Sequence, residues 1–263
     1  MCSYMDCTDD RLSRPDGFEL FRRRCRPDGP PRAVLVLVHG MSEYSGRYGH
    51  VFEALSAQGV ACVGYDQRGH GLSDGERGTV GAFEDFLGDL EAVLEETRKE
   101  FPGLPLFVLA HSMGGLIFAA YLLEKTQLPD FAIFSGPAIV PTLSADEPAI
   151  DPGRLSRDPA MCEAYLNDPL ILRDRVQESL YFRLADGLAL LPGRAGEISL
   201  PVLLIHGDDD PLCSADGAEA WLRESASEDL TVCRYPEGRH EMLNEINRDE
   251  VIADLLNWIQ ARL

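Results

Sequence analysis

Short runs of apolar residues alternate with helical stripes along most of the chain. The apolar runs are rich in β-branched residues and cover residues 33–38, 60–63, 106–110, 131–134 and 202–205. Continuous runs of this length are typical of strands buried on both faces of a parallel sheet. Apolar residues also recur at steps of three and four over 83–101 and 252–263, which predicts amphipathic helices. The pattern predicts an α/β domain whose mostly parallel sheet is covered by helices on both sides.

The alternation stops between about residues 138 and 198, where Pro and Asp become frequent. The strongest remaining period there consists of Val176, Leu180, Leu184, Leu188 and Leu191. We interpret this region as a helical insertion on top of the sheet; the alternative is a loose surface excursion. The predicted organisation is a core of residues 1–136 and 201–263 with a helical cap at 137–200.

A serine between an apolar strand and a helical pattern is the sharpest chemical signal. Ser112 lies in the run AHSMG at 110–114, which is the nucleophile elbow G-x-S-x-G with Ala110 in place of the first glycine. Such a turn exposes the serine, and small neighbours allow the strand and helix to approach closely. The N-terminus of the following helix also stabilises negative charge that develops there. Ser112 is therefore the candidate nucleophile, against a buried serine that merely ends a strand.

A serine nucleophile needs a histidine to accept its proton. His240 lies in a polar loop after the strand-like run 230–235 and before the last helix, which is where α/β-hydrolases carry their base. We predict that His240 is the base, the alternative being a solvated loop residue. The other histidines have structural explanations in their own segments, and we expect the one beside the nucleophile to point away from it; they are His39, His50, His70, His111 and His206.

The segment after the strand 202–205 offers three candidates for the acid of the triad. Asp210 is preferred because the loop must first turn away from the sheet through Gly207 before a carboxylate can reach the histidine. Asp208 and Asp209 are then turn formers or solvated charges. A metal site built from His206 and these carboxylates is a weak alternative, since no motif such as H-E-x-x-H accompanies it. We predict no metal and no cofactor.

The oxyanion hole of such an enzyme needs two backbone N–H donors. One is predicted at Met113, directly after the nucleophile, and the other at Met41, which follows Gly40 at the end of an earlier strand. Gly40 would allow the backbone to approach the substrate closely.

The charge of the chain excludes some classes of function. With 44 acidic and 24 basic side chains the net charge is −20, which argues against a nucleic-acid binder. The longest apolar run, 116–123, is far shorter than the ~20 residues of a membrane span, and the acidic N-terminus lacks the features of a secretory signal. Seven cysteines without a C-x-x-C pair favour reduced thiols in a cytoplasmic protein.

With these residues identified, the chain resembles the monoacylglycerol lipase and lysophospholipase branch of the α/β-hydrolases from about residue 17 to the end. The resemblance rests on HGMSEYSGRY at 39–48, DQRGHGLS at 66–73 with RG at 77–78, HSMGG at 111–115, NDPL at 167–170, HGDDDPLC at 206–213 and YPEGRH at 235–240. It implies the α/β-hydrolase fold, a triad of Ser112, Asp210 and His240, and an oxyanion hole at Met41 and Met113. The cap looks shorter than in animal members, with no long apolar helix between Pro137 and Arg154.

The sequence thus predicts a serine carboxylic-ester hydrolase acting on monoacylglycerols or similar neutral single-chain esters. Alternatives are a lysophospholipase, thioesterase, amidase, peptidase or short-chain esterase with the same triad, or a non-catalytic ligand-binding protein on this scaffold. Contact with membrane surfaces and homodimer formation stay open. The acidic excess is densest in residues 201–263, where Glu237, Glu241 and Glu245 flank His240 and would disfavour anionic lipids. The predicted walls of an acyl-chain pocket are Leu166, Leu170, Ile171, Val176, Leu180, Leu184 and Leu188.

Overall fold

One sheet forms the centre of the molecule, as shown by a computed structural model that describes residues 5–142, 151–173 and 176–263. Its strands are β1 (Met5–Ser13), β2 (Glu19–Pro27), β3 (Ala33–Val38), β4 (Val60–Tyr65), β5 (Leu106–His111), β6 (Phe131–Ser135), β7 (Val202–Gly207) and β8 (Leu230–Tyr235). They lie in the order β1-β2-β4-β3-β5-β6-β7-β8. Strands β3 to β8 are parallel, whereas β1 and β2 pair antiparallel.

Helices follow most of the parallel strands. They are α1 (Gly49–Ser56), α2 (Phe83–Glu100), α3 (Met113–Glu124), α4 (Pro159–Asn167), α5 (Glu178–Leu188), α6 (Ala215–Arg223) and α7 (Arg248–Gln260). Short 3₁₀ turns lie at Ser45–Tyr48, Pro152–Arg154, Ala195–Glu197 and Met242–Asn244. The α/β-hydrolase arrangement predicted from the sequence is confirmed.

The apolar runs are continuous because each strand contributes to two hydrophobic clusters. In β3, Val34 and Val36 face the cluster that contains α2 and α3, while Leu35 and Leu37 face the cluster that contains α1 and α7. Successive side chains of a strand point to opposite faces, so a sheet covered on both sides needs an apolar residue at every position. Helix α3 is buried over almost its whole length, which makes it a rigid support for the turn that precedes it.

The hairpin of β1 and β2 was not predicted by the apolar pattern. Strand β1 is largely exposed, and the Asp9 carboxylate pairs with the Arg23 guanidinium of β2 at 2.8 Å. Cys7 and Cys25 lie opposite each other in the antiparallel register and form a disulfide. The prediction that the cysteines are reduced is wrong for this pair, because strand pairing joins residues that no short Cys spacing reveals. The described free thiols are Cys62, Cys162, Cys213 and Cys233.

The insertion between β6 and β7 carries α4 and α5. An added Cβ at Gly187 of α5 would collide with the ring of Phe83 on α2, so α5 packs directly on the core instead of forming a loose excursion. The domain limits at 136/137 and 200/201 stay predictions. The sequence predicts no long apolar helix between Pro137 and Arg154. Residues 143–150 of that stretch lie outside the described residues. Within the described ranges, no helix is long and apolar enough to cross a membrane.

Candidate active site

Ser112 occupies the sharp turn between β5 and α3. Its φ of 51° and ψ of −118° place a non-glycine residue in the left-handed region, a strained conformation that persists mainly at functional sites. The Ser112 N–H donates to the Ser135 carbonyl at 3.1 Å, and the Ser112 carbonyl accepts from Gly115 at 2.8 Å. These bonds fix the strand-to-helix turn that the sequence predicts.

Two glycines after Ser112 allow α3 to approach its neighbours closely. An added Cβ at Gly114 would collide with the carbonyl oxygens of Val38 and His39 at the end of β3. At Gly115 it would lie 2.6 Å from the Cβ of Pro137. The N-terminus of α3 is therefore held against the carboxyl ends of the central strands, where its positive dipole end faces the site.

His240 and Asp210 extend a hydrogen-bonded chain from Ser112. The His240 Nε2 lies 2.8 Å from the Ser112 Oγ, and its Nδ1 lies 2.8 Å from the Asp210 Oδ2. The other Asp210 oxygen accepts the N–H groups of Leu212 and Cys213 at 2.8 and 3.1 Å. With the proton on Nδ1, the Nε2 can accept the proton of the serine hydroxyl. The structure thus brings together all three residues predicted as the triad.

The loops after β7 and β8 touch, which is why Asp210 reaches His240. An added Cβ at Gly207 would collide with carbonyl oxygens of residues 238–239, so Gly207 permits this contact. Asp208 and Asp209 remain exposed, and Asp208 pairs with Arg234 at 2.6 Å. Both lie where turn formers or solvated charges were predicted.

The other five histidines each place a ring nitrogen within hydrogen-bond distance of a backbone carbonyl. The pairs are His39 with Gly40, His50 with Leu243, His70 with Arg68, His111 with Ser135 and His206 with Gly207. The expectation that His111 points away from the site is wrong. His111 lines the cavity, and the centroids of the His111 and His240 rings lie 4.8 Å apart. The His111 Nδ1 lies 2.8 Å from the Ser135 carbonyl oxygen, and this contact holds the ring in place.

The buried charges around His240 set its protonation. Burial lowers the pKa of His240, but Asp210, Glu241 and Glu43 outweigh burial and raise it above its ordinary value of 6.5. Burial raises the pKa of Asp210, but the interactions with His240 and His206 and the hydrogen bond from the Leu212 N–H together outweigh burial, so the net shift is downward. Asp210 is therefore ionised at neutral pH and can stabilise the imidazolium that forms when His240 takes a proton.

A buried network of charges joins the loop after β3 to the loop that carries His240. The Glu43 carboxylate accepts from the Gly40 N–H at 2.7 Å, from the Tyr48 hydroxyl at 2.8 Å and from the Arg47 guanidinium at 2.9 Å. Arg47 also binds Glu241 with two hydrogen bonds of 2.7 and 2.6 Å. Sequence reasoning gave no role to Glu43, Arg47 or Tyr48, although all three lie in one of the motifs that carry the resemblance.

A cavity of about 220 Å³ opens directly above Ser112 and His240. Met41 and Met113, the residues predicted to supply the oxyanion hole, line it together with Ser112, and Glu43 and Glu241 form its polar wall. The cap contributes an aromatic and aliphatic wall made of Leu155, Tyr165, Tyr181, Leu184, Ala185 and Leu188. The cavity therefore combines a polar end at the reacting serine with an apolar end under the cap.

Most of the residues predicted to line an acyl-chain pocket do not line the cavity. Leu184 and Leu188 line the cavity, on the α5 face that also carries Tyr181 and Ala185. Leu166 is 46% exposed. The other four do not line the cavity either: Ile171 packs with cap residues and with Leu212 and Cys213 after β7, Val176 and Leu180 pack on the core, and Leu170 is half-buried. Periodicity identifies an apolar helix face but not the neighbour against which that face packs.

The one described cluster with metal-binding geometry is part of the same site. Ligand atoms of Asp210, Cys213 and His240 lie within 4.8 Å of one another. Both ring nitrogens of His240 already face hydrogen-bond partners, and burial raises the pKa of the Cys213 thiol, which keeps it protonated. This donor set fits a proton relay better than a metal ligand set.

The strained Ser112 is hydrogen-bonded to His240, which is hydrogen-bonded to the buried carboxylate of Asp210. This arrangement at the carboxyl edge of a mostly parallel sheet defines a serine hydrolase. The family model described as "Serine aminopeptidase, S33" matches residues 29–149 and 139–247, and the chain belongs to that family.

Named relatives cover nearly the whole chain. The monoacylglycerol lipase of Mycolicibacterium smegmatis is 32% identical over 255 residues, which are 90% of this chain and 91% of that protein. The human monoglyceride lipase is 29% identical over 274 residues, 95% of this chain and 90% of its own. The crystal structure of Paleococcus ferrophilus monoacylglycerol lipase superposes with a TM-score of 0.82 at 28% identity, over 93% of this chain and 100% of that one. The predicted serine carboxylic-ester hydrolase is confirmed.

Proposed function

We propose that this protein hydrolyses monoacylglycerols or similar neutral single-chain esters through an acyl-enzyme on Ser112. The observation that carries the proposal is the hydrogen-bonded chain from Ser112 through His240 to Asp210, which opens into a cavity with an apolar cap wall. Relatives named as monoacylglycerol lipases support the substrate class.

Acylation begins when the His240 Nε2 takes the proton of the Ser112 hydroxyl. The serine oxygen attacks the ester carbonyl, and the carbonyl oxygen becomes an oxyanion that accepts from the Met41 and Met113 amides. The tetrahedral intermediate collapses as His240 donates its proton to the leaving alcohol. Asp210 stabilises the imidazolium during both transfers.

Deacylation reverses these roles with water. His240 removes a proton from a water molecule, the hydroxide attacks the acyl carbonyl, and the Ser112 oxygen leaves with the proton that His240 returns. Gly40 supports the oxyanion hole because its own N–H is bound by Glu43, which fixes the backbone just before Met41.

The charge of the cavity favours neutral substrates. Glu43 and Glu241 face the space beside Ser112, and Arg47 is the cation that both of them bind. Two carboxylates against one guanidinium leave a negative wall that repels an anionic head group. The expectation that Glu237 and Glu245 contribute at the mouth does not hold: the Glu237 side chain is 78% exposed outside the cavity lining, and Glu245 is fully buried.

Replacing Glu241 by glutamine should move the acidic limb of the pH profile of kcat/KM to lower pH. His240 must be neutral to act as a base, and its raised pKa means that activity falls as pH decreases through a value above 6.5. Removing the Glu241 charge takes away one cause of the raised pKa, so His240 stays neutral to lower pH. The measurement is the pH profile of kcat/KM with a chromogenic ester.

Glu237→Gln is the matched control, because it removes an equal formal charge from the same loop at a solvent-exposed position. The control profile should coincide with the wild-type profile. An acidic limb that stays in place or moves to higher pH in Glu241→Gln would contradict the assignment of His240 as the titrating base.

Leu184→Trp should shorten the acyl chains that the enzyme accepts. Leu184 lies on the α5 face that lines the cavity, so a larger ring there fills space that a long chain would occupy. We expect kcat/KM for long-chain monoacylglycerols to fall by about tenfold or more while acetyl esters change by less than about twofold. Rates on esters of graded chain length give the result.

Leu166→Trp serves as the control, since Leu166 is exposed on α4 and absent from the cavity wall. Its chain-length profile should equal that of the wild type. An equal loss on acetyl and long-chain esters in Leu184→Trp, or a strict wild-type preference for acetyl esters, would refute the acyl pocket.

Further expectations concern other substrates, the contacts of the cap and the location of the protein. Lysophospholipid, thioester or amide hydrolysis would use the same triad, and parallel rates on those substrates separate them. The Phe182 side chain on α5 is 60% exposed, and contact of the cap with a lipid surface or with a second copy of the chain would cover it. A cytoplasmic location follows from the sequence reasoning, and the Cys7–Cys25 disulfide argues against it, because disulfides persist mainly in oxidising compartments.

A further inference from the structure

Glu245 is a fully buried carboxylate near the active site that does not touch the cavity. It lies just after the 3₁₀ turn Met242–Asn244, five positions beyond His240, and its side chain is 0% exposed. The nearest described cation is the Nε of Arg157, 3.4 Å away and without hydrogen-bond geometry to the carboxylate. A charge buried with so little ionic compensation needs hydrogen-bond donors from the main chain.

Backbone amides from two parts of the chain supply those donors. The Oε2 of Glu245 accepts from the Arg239 N–H at 3.0 Å. The Oε1 accepts from the Arg157 N–H at 2.8 Å and from the Ile246 N–H at 2.7 Å. One carboxylate thus joins the residue before His240 to the segment by which the chain enters α4.

The residue after His240 is bound to the same entry segment. The Glu241 N–H donates to the Leu155 carbonyl at 2.8 Å, and the Ser156 hydroxyl donates to the Asn244 carbonyl at 2.9 Å. The Arg239 guanidinium also donates to the Gly153 carbonyl. The peptides on both sides of His240 are therefore held by residues 153–157 and Glu245, not only by the sheet.

We propose that Glu245 is a positioning residue for the base: it fixes the backbone of His240 and couples it to the entry segment of the cap. This inference rests on the proposed function of His240. Ser112 is held by the strained turn before α3, whereas His240 lies in a loop that has no strand or helix at its own position. The 2.8 Å contact between the two therefore depends on whatever holds the loop, and Glu245 supplies one of its two flanking bonds.

Glu245→Gln is expected to keep the hydrogen bonds on the cap side of Glu245 and to break the one beside His240. The amide oxygen of glutamine can replace Oε1, which accepts from Arg157 and Ile246, and leave the cap side intact. The amide NH₂ then takes the place of Oε2 and faces the Arg239 N–H, so that two donors meet and the bond beside His240 is lost. The substitution therefore conserves the size of the side chain but removes a bond that holds the loop of His240.

Asp89→Asn is the control for the loss of a buried carboxylate in general. Asp89 is 1% exposed on α2, binds Arg14 and Arg68, and does not line the cavity. Asp89→Asn is expected to lower the melting temperature with little change in kcat. A purely structural role of Glu245 would give the same outcome.

The test measures kcat and KM for a short ester and the rate at which a fluorophosphonate labels Ser112, all at a temperature below unfolding of each variant. For Glu245→Gln we expect kcat and the labelling rate to fall about 10- to 100-fold with KM nearly unchanged, because misplacing the base affects the chemical step more than binding. Wild-type kcat and labelling in a folded Glu245→Gln protein would overturn the proposal. A wild-type protein that is not labelled at all would instead refute the function of Ser112 and His240.

Glu245→Asp is the second variant, in case the glutamine variant does not fold. It keeps the charge near Arg157, but a side chain shorter by one methylene cannot reach the amides of both Arg239 and Arg157. We expect a smaller loss of kcat and labelling rate, again with KM nearly unchanged. A stable Glu245→Asp protein with wild-type kcat and labelling would overturn the proposal as well.

Discussion

Ser112→Ala is expected to lower kcat for ester hydrolysis by about 10⁴-fold or more. The serine oxygen forms the covalent bond to the acyl group, and no other described hydroxyl lies within hydrogen-bond distance of the His240 Nε2. Alanine removes that oxygen and keeps the space open to substrate, so KM should change little. The measurement is steady-state hydrolysis of a chromogenic ester, with fluorophosphonate labelling in parallel.

Ser135→Ala is the matched control for this loss. Ser135 is a buried serine at the end of the adjacent strand β6, and its hydroxyl has no hydrogen-bond partner among the described residues. Its removal should leave kcat and labelling near the wild-type values. Substantial activity in Ser112→Ala, with Ser135→Ala as the inactive variant, would refute the assignment of the nucleophile.

Asp210→Asn should cost about 10³- to 10⁴-fold in kcat while the fold and KM are retained. The asparagine oxygen can replace Oδ1, which accepts from the amides of Leu212 and Cys213. The asparagine NH₂ then points to the His240 Nδ1 and forces that nitrogen to accept. The ring proton moves to Nε2, which can no longer accept from Ser112. The same change also removes a charge that raises the pKa of His240.

Asp209→Asn controls for the change of charge in the same loop, since Asp209 is exposed. We expect wild-type kinetics from it. If Asp210→Asn kept wild-type kcat, or if Asp209→Asn lost as much activity, the orienting carboxylate would have been assigned to the wrong residue.

The strands and the triad candidates could be predicted because their signals are local. A strand buried on both faces, such as β3, needs an apolar residue at every position, so it is visible in the sequence as an uninterrupted apolar run. The turn at Ser112 needs Gly114 because only glycine fits against the carbonyls of β3. His240 and Asp210 were predicted from where their loops follow β8 and β7.

The remaining features depend on tertiary contacts that no local pattern encodes. The hairpin of β1 and β2 is polar and is held by ion pairs and the Cys7–Cys25 disulfide, so it lacks an apolar signature. Leu180 and Leu184 belong to the same helical stripe, yet Leu180 is fully buried in the core, whereas Leu184 is only partly buried against it and lines the cavity. The bond between Arg47 and Glu241 joins residues that are far apart in the sequence, and only the folded chain brings them together.

The most direct test of the proposed function is the release of glycerol and fatty acid from a long-chain monoacylglycerol, measured beside the matching lysophosphatidate at low salt. We predict that the wild-type protein releases both products in equal amounts from the monoacylglycerol and turns over the anionic lipid much more slowly. No release from the monoacylglycerol by a folded protein that fluorophosphonate labels would contradict the proposed substrate. Equal turnover of the two lipids would contradict the preference for neutral esters.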